Sequence, residues 1–384
     1  MMKDKTLLIV TTVPETLMTI LATQPGFLNQ SFKVHLASSG AGEMQKLSAR
    51  EGVPVHEVTM QRGMSPFRDL VSIFAMCRLL RKLKPDVVHS YTPKAGMVAM
   101  VAGFLCRVPV RVHTFTGLIF PTQTGVKQKL LINIDRLICF CATRIVPEGR
   151  GVKKDLVEYS ITRKPLDVIG HGNIAGVDLD YFRPGIDEVD DKSRALVAAL
   201  NIASTDFVFC YVGRLNRDKG LKELGLAFKA LPDTARLILV GGLDSAAPVD
   251  DATLQLFRDH DRIHVLGFQA DIRVALATSN VLVLPSYREG FPNVVLQAGA
   301  LGKPAVVTNI SGSNEIIEPG LNGWVVPSKD AYALQVAMAQ AMVTPKVELE
   351  ALGKFARSRI AERFDQAAHR VRMKDFYLQE LGLD

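Results

Sequence analysis

Two cations on one loop are the first residues of this chain whose types and spacing indicate chemistry. In YVGRLNRDKGLKEL, a buried apolar run ends at Gly213, and Arg214 and Lys219 follow before a helical stretch begins near residue 221. Arg can bind phosphate oxygens through two N–H groups, whereas Lys acts as a point charge. The start of the following helix adds partial positive charge. The loop is therefore a candidate diphosphate site, and an ordinary solvated loop is the alternative.

A second candidate site follows the apolar run at residues 281–285. Glu289 lies on the next loop, and its carboxylate can accept hydrogen bonds from sugar hydroxyls. A helix is predicted to open at about residues 292–294, and Gln297 on its first turns can reach further hydroxyls. The unpaired N–H groups of a helix start can hold an anion. Here those groups are expected to belong to Asn293, Val294 and Val295.

A histidine supplies the third candidate. His113 lies near the end of an apolar strand in RVHTFTG. At a strand end, its imidazole can bind a phosphate or a sugar hydroxyl, or exchange a proton near neutral pH. A hydrogen-bonded structural histidine is an equally good interpretation of these residues alone.

Short β-rich runs alternate with helical stretches throughout the chain, which predicts parallel βαβ units. Strands are expected at TLLIV and at residues 32–38, 54–60, 86–90 and 109–115, and again from FVFCYVG onward. The pattern favours two doubly wound α/β domains in tandem, facing a central cleft. We place the first domain at residues 1–170 and the second at residues 171–384, with the final helices from about residue 360 packing back toward the first domain.

Composition excludes several classes of protein. The chain has 384 residues, of which 48% are hydrophobic and 22% charged, as in globular proteins. The longest uninterrupted apolar run, residues 97–106, is half the length of a membrane-spanning helix. The start has no cleavage signal, so we expect a cytoplasmic protein. Five cysteines without a CxxC pair argue against structural zinc and disulfides.

The positive charge is concentrated in the first half of the chain. Residues 1–170 hold 23 Lys and Arg against 12 Asp and Glu, whereas residues 171–384 hold 23 against 27. A basic half suggests a polyanionic partner, either phosphorylated substrates or an anionic membrane surface. The segment 61–85 reads as a basic amphipathic helix, which can lie in a membrane interface or pack on its own sheet. Only two aromatic residues interrupt its charges, so nucleic acid is not expected.

The second half resembles the nucleotide-sugar domain of retaining GT-B glycosyltransferases of family 4. The resemblance rests on GRLNRDKG, on VLGF and on PSYREGFPNVVLQAGALGKPAVVTNISGSNEII. It implies that Arg214 and Lys219 bind the donor diphosphate and that Glu289 contacts the donor sugar. The family's second Glu, which holds the ribose, is Gln297 here. The donor-binding residues it implies are Gly213, Arg214, Lys219, Phe268, Glu289, Phe291, Asn293, Val294, Val295 and Gln297.

The first half resembles a narrower branch of that family, the bacterial enzymes that build lipid-linked oligosaccharides. VTTVPETL, PDVVHSYTPKAGMVAMVAGF, RVHTFTG and GHGNIAGVD carry this resemblance. It implies a polyprenyl-diphosphate-linked acceptor at the cytoplasmic face of the membrane. His113 is then expected near the donor sugar, Lys94 near the acceptor diphosphate, and Arg62 with the helix after it at the membrane.

The resemblance implies a retaining transferase that moves a sugar from a nucleoside diphosphate, with UDP expected, onto that acceptor. Catalysis is expected to rest on Glu289, His113, Arg214 and Lys219, without a cofactor. No DxD-like ligand set follows a strand in the second half, so no metal is expected. An epimerase on the same double fold is the alternative. A dinucleotide-dependent oxidoreductase is less favoured, because the first strand lacks GxGxxG.

Overall fold

A computed structural model describes residues 4–61, 63, 65–245 and 247–383, with the backbone alone at Ala41. The chain forms two compact units. The first comprises Met1–Ala175 with Gln366–Asp384, and the second comprises Gly176–Asp365. The boundary predicted from the sequence lies at residue 170, and residues 171–384 are assigned to the second domain, with the final helices from about residue 360 packing back toward the first; in the structure the second unit ends at Asp365.

The first unit is built on a six-stranded parallel sheet with the order β3-β2-β1-β4-β5-β6. Its strands are β1 (Thr6–Val10), β2 (Lys33–Ser38), β3 (Val55–Glu57), β4 (Val87–Tyr91), β5 (Val110–Phe115) and β6 (Arg144–Pro147). Helices cover both faces of such a sheet, which is why its central strands are apolar runs. β4, for example, is buried along its whole length.

Six helices of this unit precede the second one within the described residues. They are α1 (Gln24–Leu28), α2 (Ala41–Glu51), α3 (Pro66–Leu83), α4 (Pro93–Leu105), α5 (Gly125–Cys141) and α6 (Arg150–Glu158). A π-helical turn at Thr16–Ile20 and a 3₁₀ turn at Phe120–Thr122 complete the unit's helical turns. Proline is the first residue of α3 and of α4, where its missing N–H costs no hydrogen bond.

The second unit repeats this plan with the strand order β12-β11-β10-β7-β8-β9. Its strands are β7 (Phe207–Val212), β8 (Ala235–Val240), β9 (Ile263–Gly267), β10 (Val281–Leu284), β11 (Ala305–Thr308) and β12 (Gly323–Val326). Its helices are α7 (Asp187–Ala199), α8 (Leu221–Lys229), α9 (Asp251–Asp259), α10 (Arg273–Thr278), α11 (Asn293–Ala300), α12 (Ser313–Ile316), α13 (Ala331–Val343) and α14 (Lys346–Arg363). The two sheets together confirm the predicted tandem of doubly wound α/β folds.

The last helix, α15 (Gln366–Glu380), returns to the first unit. Tyr377 is fully buried there, and its hydroxyl lies 2.6 Å from Nδ1 of His89 on β4. Nε2 of His89 lies 2.7 Å from the hydroxyl of Thr114 on β5. Burial lowers the pKa of His89 well below its ordinary value, so the ring is neutral and can serve as both donor and acceptor. This chain of hydrogen bonds fixes α15 to the first sheet.

The strand orders locate the sites where ligands can bind. In each sheet the direction in which successive strands are added reverses once. This direction reversal lies between β1 and β4 in the first sheet and between β7 and β10 in the second. The loops that follow these two neighbouring strands run in opposite directions, so a crevice forms between them at the carboxyl ends of the strands. Functional side chains are therefore expected on the loops after these four strands. Among the helices that the structure describes, none combines the length and the apolar character of a membrane-spanning segment.

Candidate functional site

The loops after β7 and β10 meet through one ion pair. Nζ of Lys219, in a 3₁₀ turn before α8, lies 2.5 Å from Oε1 of Glu289 on the loop after β10. The hydroxyl of Ser286 donates to the same oxygen at 2.6 Å. Both side chains of the ion pair are largely shielded, with 20% and 14% of their surface exposed. The structure thus brings together two residues that the sequence placed in separate motifs 70 residues apart.

In a second ion pair beside the first, the loop after β7 supplies the acid and the loop after β10 supplies the base. Asp218 precedes Lys219, Arg288 precedes Glu289, and the Arg288 guanidinium contacts the Asp218 carboxylate at 2.9 and 3.0 Å. The N–H of Tyr287 also donates to the carbonyl of Asp218 at 2.8 Å. Sequence reasoning missed this second pair. The signal was present as an acid–base order in RDKG and a base–acid order in YREG, which match when two loops face each other.

Gly220 permits the close approach of these two loops. Its φ of +66° lies in the left-handed region, and a Cβ at this position would lie 2.0 Å from the carbonyl oxygen of Pro285. Side chains other than hydrogen are therefore excluded on two grounds, conformation and space. Gly220, which the sequence already indicated as the residue that keeps this loop tight, is therefore part of the site's construction.

Arg214 lies farther out on the same β7 loop. Its guanidinium is exposed and contacts Asp244, on the loop after β8, at 2.5 Å. The amide of Asn216 donates to the same Asp244 oxygen at 3.2 Å, and the hydroxyl of Tyr211 donates to the Arg214 carbonyl at 2.9 Å. Asp244 is a second residue that no sequence motif indicated. An anionic ligand at Arg214 would therefore compete with a carboxylate that already holds it.

The start of α11 differs from the prediction in one respect. Pro292 is the residue before the helix, and the N–H of Val295 already donates to its carbonyl at 3.1 Å. The first turn closes in a 3₁₀ manner, so Val295 does not offer the free N–H group that the sequence suggested. The Val295 side chain is buried in the core, while those of Asn293 and Val294 are partly exposed.

The remaining predicted donor-binding residues have contrasting positions. Phe291 is buried and packs against Phe364, with ring centroids 5.4 Å apart, so its side chain belongs to the core. Phe268, just after β9, is 79% exposed, which leaves its ring available to a planar ligand. Gln297 is partly exposed on α11, and Gly213 directly follows β7. Their binding roles stay predictions.

In the first unit, His113 lies on β5 beneath α4. Its ring is only 1% exposed, and Nδ1 lies 2.8 Å from the hydroxyl of Ser90 on β4. The ring is so close to α4 that a Cβ on Gly96 would approach its Cε1 to 2.3 Å. Burial lowers the pKa of His113 to about 3, so the imidazole is neutral at physiological pH. The structural interpretation of His113 accounts for these contacts, and a role at the donor sugar stays a prediction.

Lys94 lies at the start of α4, next to the direction reversal of the first sheet. Its ammonium group binds both carboxylate oxygens of Asp69 on α3, at 2.7 and 2.8 Å. The preceding turn is held by the hydroxyls of Thr12 and Thr92, which lie 2.7 Å apart. The sequence indicated Lys94 but not its partner. Arg62, the other predicted acceptor or membrane residue, lies outside the described residues.

Among the side chains that the structure describes, no group of three or more His, Cys, Asp or Glu residues could hold a metal ion. The five cysteines are free thiols. The candidate residues of the second unit are ion-paired side chains and a hydroxyl, and those of the first unit are the ion-paired Lys94 and the neutral His113.

With this geometry established, comparisons with known proteins identify the class of enzyme. Residues 26–172 match the domain described as "Glycosyl transferase 4-like domain", and residues 193–359 match "Glycosyl transferases group 1". Each match covers one predicted half of the chain. The second contains the Lys219–Glu289 pair, and the first contains Lys94 and His113.

Relatives of similar length carry related names. The chain is 27% identical to the capsular polysaccharide biosynthesis glycosyltransferase CapM of Staphylococcus aureus, over 87% of each chain. It is also 27% identical to the UDP-Gal:alpha-D-GlcNAc-diphosphoundecaprenol alpha-1,3-galactosyltransferase of Escherichia coli, over 91% of this chain and 90% of that one. An N,N'-diacetylbacillosaminyl-diphospho-undecaprenol alpha-1,3-N-acetylgalactosaminyltransferase of Campylobacter jejuni is 28% identical over 75% of this chain and 76% of its own length.

Solved structures agree on the fold. HepE of Anabaena, crystallised with UDP and glucose, superimposes with a TM-score of 0.82 over 98% of this chain and 100% of its own, at 18% identity. Sucrose-phosphate synthase of Thermosynechococcus elongatus gives a TM-score of 0.79 over 99% and 100%, at 19% identity. The two domain matches and the named relatives support the assignment of this chain as a family 4 glycosyltransferase of the GT-B fold.

We expect Gly220→Ala to destabilise the second unit, because the added Cβ meets the Pro285 carbonyl and the left-handed backbone is strained. The loss should be about 2 kcal/mol or more in the free energy of unfolding. Gly242→Ala is the matched control, since a Cβ there meets nothing within 4 Å. Chemical denaturation of both variants checks this, and equal stability of the two would contradict the packing described.

The neutral, buried His113 should also make stability depend on pH. Its pKa is about 3 in the folded chain and about 6.5 when unfolded, so between these values only the unfolded state binds the proton. The stabilisation is complete above about pH 6.5 and is lost as the pH falls, by about 2 kcal/mol at pH 5. In His113→Gln, the difference in unfolding free energy between about pH 7.5 and pH 5 should shrink by that amount. An unchanged difference would show that His113 is protonated normally in the folded chain.

Proposed function

We propose that this chain is a retaining glycosyltransferase. It moves a sugar from a UDP-sugar onto a polyprenyl-diphosphate-linked saccharide at the cytoplasmic face of the membrane, in the synthesis of a surface polysaccharide or related glycan. The observation that carries the proposal is the Lys219–Glu289 pair, which joins the two loops at the direction reversal of the second sheet. The relatives' names, which specify UDP-galactose and diphosphoundecaprenol-linked acceptors, support the choice of substrates.

The pair supplies two complementary functions to one ligand. Lys219 can bind a diphosphate oxygen as a point charge, and Glu289 can accept hydrogen bonds from sugar hydroxyls. A nucleoside diphosphate sugar presents these two groups next to each other. On binding, Lys219 exchanges the Glu289 carboxylate for a diphosphate oxygen. Glu289 exchanges the Lys219 ammonium group for the hydroxyl groups of the sugar. Arg214 would exchange Asp244 for the diphosphate in the same way.

The chemical step then needs charge stabilisation on the leaving group. The bond between the anomeric carbon and the diphosphate oxygen breaks, and the acceptor hydroxyl oxygen forms the new bond on the same face of the sugar. The leaving phosphate oxygen takes the hydroxyl's proton. Lys219 and Arg214 offset the negative charge that develops on this oxygen, and we propose that they do so without a metal ion.

Replacement of the sugar-binding carboxylate tests the site. We expect Glu289→Gln to lower the rate of sugar transfer by about 100-fold, since it removes a charged acceptor for the sugar hydroxyls. The assay follows the transfer of radiolabelled sugar from UDP-galactose and UDP-glucose to an N-acetylglucosamine-diphosphoundecaprenol acceptor, with and without EDTA. Glu350→Gln, on an exposed turn of α14, is the matched control.

Three outcomes of this assay would count against the proposal. Wild-type turnover in Glu289→Gln would remove Glu289 from the site. Conversion of the donor in the absence of any acceptor would indicate the epimerase alternative. Loss of activity with EDTA that Mg²⁺ restores would refute the metal-independent step.

The membrane is the second proposed partner, and α3 carries the evidence for it. One face of this helix packs on the sheet through Ser72, Met76, Cys77 and Leu80, which are buried. On another face, four large apolar side chains at helical spacing are between 63% and 84% exposed; they are Phe67, Leu70, Val71 and Phe74. Such a stripe, together with the basic residues of the same helix, is typical of helices that lie in an anionic membrane interface. We propose that α3 binds the membrane with this stripe.

We expect Phe67→Ser/Phe74→Ser to lose binding to vesicles that contain phosphatidylglycerol, because burial of one such ring is worth about 1.5–3 kcal/mol. The double variant should keep the stability of the wild-type chain, since both rings are exposed. Tyr332→Ser/Val336→Ser, which changes two exposed apolar residues on α13, is the matched control. Flotation with the vesicles is the measurement. Equal binding by both double variants would contradict the assignment of the stripe.

A further inference from the structure

A cavity of 430 Å³ opens at the amino ends of β4 and β5 in the first sheet. The ends of α3 and α4 line it, together with the loops that lead into β4 and β5. Pro109 in its wall directly precedes β5 and lies four residues before His113, or about 13 Å in extended chain. The cavity is therefore separate from the residues that the proposed transfer uses.

The cavity walls carry an excess of positive charge. Arg81, Lys84 and Arg107 line the cavity, and their side chains make no hydrogen bond or ion pair with any residue that the structure describes. Asp86 also lines it, but Lys5 contacts this carboxylate at 3.0 Å and the N–H of Thr6 donates to it at 2.8 Å. Asp86 is thus already neutralised and does not balance the three cations.

Helix capping accounts for only part of this charge. Arg81 and Lys84 lie at the end of α3, and Arg107 lies just beyond the end of α4. Cations are favoured at such ends, where each helix terminus carries about half a negative charge. Two termini offset about one of the three positive charges. The remaining excess of about two matches the charge of a phosphate group.

The backbone holds two of these cations in unusual positions. Lys84 has a φ of +46° and Arg107 a φ of +55°, in the left-handed region where helix ends usually carry glycine. Pro85 follows Lys84 directly, and its ring restricts the loop. Backbone strain accepted at a residue that keeps a long cationic side chain points to a use for that side chain. The backbone thus fixes where the side chains of Lys84 and Arg107 leave the chain, while their charged ends are exposed to solvent.

We propose that this cavity binds a phosphate-bearing anion between Arg81, Lys84 and Arg107. The two guanidinium groups can each bind two phosphate oxygens, and the ammonium group adds a point charge. The phosphate could belong to a phospholipid headgroup or to a dissolved phosphate compound, because the cavity recognises the same group in both. The site goes beyond the proposed transfer reaction, and it does not depend on it, because the second unit contributes no residue.

Cys106 provides a reporter inside the cavity. It lines the cavity and is partly exposed, whereas the other four cysteines are buried. A phosphate bound beside it covers the thiol and repels the thiolate that alkylating reagents attack. The rate at which iodoacetamide modifies Cys106, followed by peptide mass spectrometry, therefore measures occupancy without any reference to enzyme activity.

The test has two arms, and each compares three proteins. In the first arm, inorganic phosphate is compared with potassium chloride of equal ionic strength. In the second, vesicles of equal parts phosphatidylglycerol and phosphatidylcholine are compared with phosphatidylcholine alone. The proteins are the wild-type chain, the site variant Arg81→Gln/Arg107→Gln, and the control variant Lys127→Gln/Lys129→Gln. The control removes the same charge from exposed positions of α5, outside both the cavity and α3.

We expect the ligand to slow Cys106 alkylation by about threefold or more in the wild-type and control proteins, but not in the site variant. An effect in the first arm identifies a dissolved phosphate as a sufficient ligand, and an effect in the second arm alone identifies a lipid headgroup. No slowing in either arm would overturn the proposal. Equal slowing in the site and control variants would also overturn it, since general surface charge would then explain the effect. Thermal denaturation checks that both variants are folded.

Discussion

The contact between Lys219 and Glu289 depends on the strand order of the second sheet. β7 and β10 are neighbours although about 70 residues separate them, because the chain fills one side of the sheet and then the other. Only this order places the loops after the two strands side by side. The glycine after Lys219 lets the loops approach, and the second ion pair, Asp218–Arg288, fixes their register. The strand order therefore brings the two loops together, and the side chains on them then form the site.

The site's charges are balanced before any ligand binds. Lys219 is held by Glu289 and Arg214 by Asp244, so neither cation stands alone in the structure. Breaking a shielded ion pair by removing one partner leaves an uncompensated charge, which is costly. A ligand that brings a diphosphate for the cations and hydroxyls for the carboxylates replaces both partners together. This exchange favours a nucleotide sugar over a simple phosphate or a simple sugar.

The sequence predicted those parts of the molecule that local patterns determine. Apolar runs located most of the strands, although the third, expected at residues 54–60, spans only Val55–Glu57. Lys219 and Glu289 were predicted as site residues because a charged side chain on a loop between a strand and a helix indicates a binding role even when its partner is unknown. Asp244 and Asp69 were not found, because each pairs across a distance that only the fold closes. Burial was equally hidden, so the sequence could not show that His113 lies beneath α4.

We propose that Lys219 binds the donor diphosphate and that Glu289, its partner in the free protein, binds the donor sugar. Calorimetric titration with UDP tests it directly, since UDP carries the diphosphate but no sugar. We expect Lys219→Ala to weaken UDP binding by about tenfold or more, because an ionic contact is lost. We expect Glu289→Gln to bind UDP as tightly as the wild-type chain or more tightly, because the side chain at 289 no longer carries a charge that competes for Lys219. Unchanged UDP affinity in Lys219→Ala, or weaker UDP binding in Glu289→Gln than in the wild-type chain, would contradict these roles.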